Sequence, residues 1–164
     1  MSPVNPPEAF LEDMAGFYRD VDAAIAAHRP VCINRGACCK FSEFGDKLYV
    51  TDVELSYFVA GQAGALRPVT DHAACPYQVG GLCTARDHRP LGCRVFFCDP
   101  AAQGWQGPEY ERFLTRLKAI GDKHGVAYRY QEWLSALQDS SQTVRSIHPD
   151  LPQDVDRIPL PVIK

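Results

Sequence analysis

The chain has 164 residues, 46% of them apolar and 23% charged, with a formal net charge of -3. That size and composition suit one folded domain with an apolar core, and exclude a large multi-domain enzyme or a disordered chain. The slight acidic excess argues against a general nucleic-acid or anionic-membrane binder. No apolar run approaches the roughly 18 residues of a membrane span. The start, Met-Ser-Pro-Val-Asn-Pro-Pro-Glu, lacks a basic region followed by an apolar one. The expectation is therefore a cytoplasmic protein with no membrane partner.

Residues 7–28 predict a helix. Phe10, Met14, Phe17, Val21, Ala24 and His28 recur at three- and four-residue steps, and Leu11, Tyr18 and Ile25 widen the stripe. Pro6 and Pro7 suit its start, and Pro30 its stop. Residues 31–100 follow, with seven acids balanced by seven bases. Lys47 to Val50 is a short strand candidate. Thr51-Asp-Val-Glu54 fits a capping box that opens a helix from Asp52 to about Ala60. The remainder of this part is rich in Pro, Gly and Cys and reads as loops organised around a site.

The third part begins with a predicted loop from Ala101 to Gly107. Pro108 then suits the first position of a helix over 109–124, with Tyr110, Phe113, Leu114, Leu117 and Ile120 as its apolar stripe. Gly125 fits its C-terminal cap. Tyr128–Leu137 reads as a further short helix with Trp133, Leu134 and Leu137 inward. The helical C-terminal part thus covers 108–138, and a Pro-rich extended tail covers 140–164. The fold class expected is mainly α, a small single domain with an irregular cysteine-rich, metal-binding middle. The helices at 7–28 and 109–124 should pack together or flank the site.

Cysteine usage carries the functional signal. Cys32, Cys38, Cys39, Cys75, Cys83, Cys93 and Cys98 are the chain's seven, and all fall in the middle part. A disulfide framework is a poor match for a cytosolic chain with an odd count. Core packing accounts for one or two such thiols, not seven. A metal site remains the strongest reading, with thiol redox chemistry behind it. No Cys-x-x-Cys occurs, so zinc knuckles, thioredoxin-like sites and bacterial ferredoxin spacing do not apply. Ligands have to come from separated loops, which favours an iron–sulfur cluster, a [4Fe–4S] centre first and zinc as the alternative.

Charge supports this. Four thiolates around zinc or around an oxidised [4Fe–4S] core leave a net charge of about -2, which burial penalises without cations nearby. Arg35, Lys40, Arg89 and Arg94 flank the cysteines and are the candidate cofactor-binding residues, with Arg86 close by. Gly36, Gly80-Gly81 and Gly92 allow tight turns that aim amides at sulfur. His72 and His88 could complete a mixed Cys3His site.

Cys32-x5-Cys38-Cys39, Gly81-Leu-Cys83 and Arg89-Pro-Leu-Gly-Cys93-Arg94 together resemble the YkgJ-type cysteine-cluster family, a zinc- or iron-chelating domain. Cys75-Pro76 and the phenylalanine pair before Cys98 also fit. Arg35 stands where the family pattern often has another cysteine, leaving seven instead of eight. The resemblance implies metal binding, with Cys32, Cys39, Cys83 and Cys93 as core ligands and Cys38, Cys75 and Cys98 next. One similar branch, the flagellin lysine N-methylases, is associated with an iron–sulfur cluster. Those proteins are longer, and no glycine-rich loop for S-adenosylmethionine is seen here, so methyl transfer is not carried over. Two further roles remain open: an enzyme using the cluster or a reactive cysteine, and a metal- or redox-responsive interaction protein whose partner the sequence does not name.

Overall fold

The computed structural model describes residues 5–31, 47–62 and 66–147, the last six as backbone. The fold is mainly α, with five α-helices among the described residues. Helix α1, Glu8–Ala27, forms where its apolar stripe predicts: Phe10, Met14, Phe17, Tyr18, Val21 and Ile25 are all buried. It stops at His28, and Arg29 follows in the left-handed region with φ 51°. The Arg29 amide closes the end by donating to the Ala26 carbonyl at 3.1 Å.

Strand β1, Tyr49–Thr51, runs directly into α2, Asp52–Gly61. The expected capping box is present. Thr51 Oγ1 accepts from the Glu54 amide, and the Glu54 carboxylate accepts from the Thr51 amide at 2.7 Å. In the cysteine-rich part, β2, Gln78–Val79, pairs antiparallel with β3, Leu82–Cys83. The two-residue connection Gly80-Gly81 has positive φ at both positions, 59° and 81°, as a tight hairpin turn requires. A 3-10 turn at Arg86–His88 and the five-residue helix α3, Leu91–Val95, follow.

Three expectations for the C-terminal part need correction. Helix α4 spans Gln103–His124, so the predicted loop Ala101–Gly107 is largely helical and Pro108 lies inside the helix. Asp99 caps a short turn over Pro100–Ala102 that leads straight into α4. The first turns of α4 are then held by contacts from afar: Trp105 stacks on His28 at 4.2 Å, and Gln106 Oε1 accepts from the Phe97 amide at 3.1 Å. The carbonyl that Pro108 cannot serve belongs to exposed Gly104, within reach of water. Gly125 caps the helix with φ 68°, as expected.

The expected helix from Tyr128 is instead a strand followed by a helix. Strand β4, Tyr130–Glu132, pairs antiparallel with β1 in the register Tyr49↔Glu132 and Thr51↔Tyr130. Helix α5 then runs Trp133–Ile147, so the extended tail does not begin at 140. The Glu132 carboxylate caps α5 by accepting from the amides of Leu134 and Ser135. No Gly or Pro interrupts the chain before Pro149. The rest of the predicted tail, 148–164, lies outside the described residues.

Two cores result. The first joins α1, α3 and α4 through Phe10, Phe17, Leu91, Val95, Phe113 and Leu117, so the two long helices do pack together. The second gathers Phe58, Tyr77, Trp133, Leu134 and Leu137. Helix α2 joins them, with Val53 in the first and Phe58 and Val59 in the second.

Candidate metal centre

Four of the seven candidate ligands lie among the described residues, two in and before the β2–β3 hairpin and two on and after α3. Cys75 and Cys83 are half-buried at the edge of the second core. Cys75 Sγ accepts a long hydrogen bond from Trp133 Nε1 at 3.4 Å. The hairpin pairs Cys83 with Gln78, whose amide donates to the Cys75 carbonyl at 3.1 Å. Burial pushes the Cys83 thiol up from its ordinary value. A hydrogen bond to the Ala85 amide pulls it down, Cys75 pushes it up, and the charges of Arg89 and Arg86 pull it down.

Cys93 is half-buried on α3, and Cys98 is exposed between Phe97 and Asp99. Helix α3 is a single turn and has almost no stability of its own. Two buried charged side chains fix it. Glu54, 1% exposed, accepts from the Leu91 amide at 2.7 Å while its other oxygen serves Thr51. Arg94, 4% exposed, sends Nε to the Arg89 carbonyl at 2.9 Å, one terminal nitrogen to the Asp87 carbonyl at 2.8 Å, and the other to Asp22 on α1 at 2.8 Å. Its guanidinium also lies 4.0 Å from the centre of the Tyr18 ring. Arg94, a candidate cofactor-binding residue, is thus committed to backbone carbonyls and a carboxylate that hold the Cys93 helix.

Arg89 is placed differently. Its Nε is buried with no hydrogen-bond partner. Burial lowers its affinity for a proton, as do Arg86 and Arg94, while Cys93 and Asp22 raise it. A guanidinium still remains charged at neutral pH. Arg89 is therefore within electrostatic reach of both Cys83 and Cys93. The Tyr18 hydroxyl, also buried and unpartnered, is within such reach of Cys93. Cationic and donor groups of this kind suit bound thiolates, so the donor set fits a thiolate-held metal in charge.

Among the described residues, no group of three or more His, Cys, Asp or Glu side chains stands together as a metal site. The His88 ring packs on Tyr57 at 5.1 Å and against Gly61, where a methyl group would collide with it. Burial lowers its pKa below the ordinary value. His72 is exposed. Cys32, Cys38, Cys39, Arg35 and Lys40 lie outside the described residues.

The ends of that segment are informative. Val31, which precedes Cys32, donates its amide to Asp99 Oδ2 at 3.3 Å, beside Cys98. Leu48, near the other end, sits so close to Gly92 that a side chain there would collide with it, beside Cys93. Val31 and Leu48 thus both meet the stretch bearing Cys93 and Cys98.

Sequence reasoning missed Glu54 as the cap of α3, Asp22 as the partner of Arg94, and Trp133 as a donor to Cys75. The capping-box pattern signalled half of the Glu54 role; nothing local signals the other contacts. Comparison with protein-family models, with curated proteins and with solved structures finds no match.

Proposed function

We propose that this chain is a cytosolic metal-binding protein whose cysteine thiolates hold one [4Fe–4S] cluster, with zinc as the alternative occupant. The observation that carries this reading is that Val31 and Leu48, on either side of residues 32–46 in sequence, both meet the stretch around Cys93 and Cys98. Val31 donates to Asp99, and Leu48 packs on Gly92; three cysteines lie between them in the sequence. Cys83 and Cys93 share the charge of Arg89. The core ligands are Cys32, Cys39, Cys83 and Cys93, in line with the resemblance to the YkgJ-type family, and Cys38, Cys75 and Cys98 are the reserve. A bound cluster would supply one-electron transfer or, at an iron not held by cysteine, Lewis acidity. Glu54 and Arg94 orient Cys93, and Arg89 offsets thiolate charge.

The test is metal analysis with a visible spectrum on protein purified without oxygen. About four irons per chain and absorbance near roughly 400 nm are expected. One zinc in a colourless sample selects the alternative, and the absence of both overturns the proposal. Single Cys→Ser variants then assign ligands. Cys32→Ser, Cys39→Ser, Cys83→Ser and Cys93→Ser should each lower metal content and stability; full metal in all four would sink the ligand set.

A further inference from the structure

Between the C-terminal end of α1 and the turn before α3 lies an open hollow of about 350 Å3. One side of it is cationic. Arg29, Arg89 and Arg94 line it against a single carboxylate, Asp22. Asp22 and Arg94 satisfy each other at 2.8 Å. Arg29 and Arg89 have no ion pair among the described residues, and Arg89 Nε is buried without any partner. The other side is apolar, formed by Ile25, Pro30 and Phe97.

The buried Arg89 donor is costly without a ligand. A buried guanidinium donor left without an acceptor forfeits its hydration for nothing, whereas an oxyanion satisfies two donors of its planar fork at once. Arg29 occupies the left-handed position after α1, with φ 51°, where glycine or asparagine is the usual residue. That strained position carries an arginine which lines the hollow. The volume falls at the low end of the roughly 300–1,000 Å3 typical of small-molecule pockets.

We propose that this hollow binds a small organic oxyanion, a carboxylate or phosphate monoester with a compact apolar body. Arg89 and Arg29 hold the oxyanion, and Ile25, Pro30 and Phe97 receive the apolar part. The inference goes beyond the metal reading and does not depend on it, because no cysteine among the described residues lines the hollow. It does place a charged small molecule next to the residues that adjoin Cys93 and Cys98.

The experiment is calorimetric titration of the full chain, as purified, with phenylacetate and with phenyl phosphate. Acetate and inorganic phosphate test the need for the apolar body, and phenylacetamide tests the need for charge. Saturable binding of one or both aryl anions is expected, about tenfold tighter than the matching small anion, with no binding of phenylacetamide. If only one aryl anion binds, that outcome names the headgroup. Arg89→Gln should weaken the binding by about tenfold or more, and Arg29→Asn, which suits the left-handed backbone, by several-fold. Arg29 is exposed and has no part in the metal reading, so Arg29→Asn should keep its melting transition and its metal content. Absence of binding, equal binding of phenylacetamide, or unchanged affinity in both variants overturns the proposal. If the protein proves to hold no metal, the titration still decides.

Discussion

The core between α1 and α4 and the core around Trp133 are built in different ways. In the first, Phe10, Met14, Phe17 and Val21 face Phe113, Leu114 and Leu117 from two long amphipathic helices. Each helix brings its own stripe, and burying the two together suffices. In the second, Val50, Phe58, Tyr77, Ala85, Trp133 and Leu137 come from a strand, a helix end, a hairpin flank and another helix. Helix α5 brings Trp133, Leu134, Ala136 and Leu137, and the facing side is assembled from short elements. Cys75 and Cys83 sit at the margin of this second core, and Cys93 sits on α3, the single-turn helix that gives Leu91 and Val95 to the first. The described candidate ligands thus lie on or beside short elements, where the polypeptide contributes least regular structure. A bound metal would add most stability there.

That contrast can be broken by matched core truncations. Trp133→Ala and Phe17→Ala each remove a ring that is at most 2% exposed. Each should cost about 3–5 kcal/mol in denaturant unfolding. They should differ in metal content: Trp133→Ala removes the packing and the donor beside Cys75 and should lose metal, while Phe17→Ala should retain it. Equal metal loss in both would show that the two cores do not differ in this respect.

A smaller effect is expected at α3. Arg94→Lys keeps the charge but cannot reach the carbonyls of Asp87 and Arg89 and the Asp22 carboxylate together. It should cost about 1–3 kcal/mol. Hydrogen exchange at the amides of α3 should rise more than that of α1; uniform change across both helices would refute the view of Arg94 as the fastener of α3.

The smallest effect concerns Glu54. Burial pushes its carboxyl above the ordinary value of 4.5, against the pull of the Thr51 and Leu91 amides. Between 4.5 and that raised value the folded state binds more protons than the unfolded state. Stability therefore falls as pH rises through this interval. Glu132 behaves oppositely. Burial acts to raise it, but the amides of Ser135 and Leu134 outweigh this and hold it below 4.5, so its contribution is lost as pH falls. Glu54→Gln should cost about 1–2 kcal/mol and flatten the decline above pH 4.5 in melting curves taken across pH. A slope identical to the wild type would remove Glu54 as its source.

Much of the helical framework was legible in the residues alone. The spacing of Phe10, Met14, Phe17 and Val21 gave α1, Thr51 with Glu54 gave the start of α2, and Gly125 gave the end of α4. The site was legible only as composition: seven cysteines and their flanking arginines, without a grouping. Residues three or four apart interact through the helix itself, so these features are local and the sequence by itself determines them.

Other features were decided by partners far along the chain. Pro108 is helical because Trp105 and Gln106 are held by His28 and Phe97. Tyr130–Glu132 is a strand because β1 offers it an edge. Glu54 reaches Leu91 across 37 positions, and Arg94 reaches Asp22 across 72. Such contacts carry no periodic signature, because their geometry exists only once both cores have closed. The tertiary structure alone therefore decided that one arginine fastens the Cys93 helix while its neighbour Arg89 stays without a partner beside an open hollow.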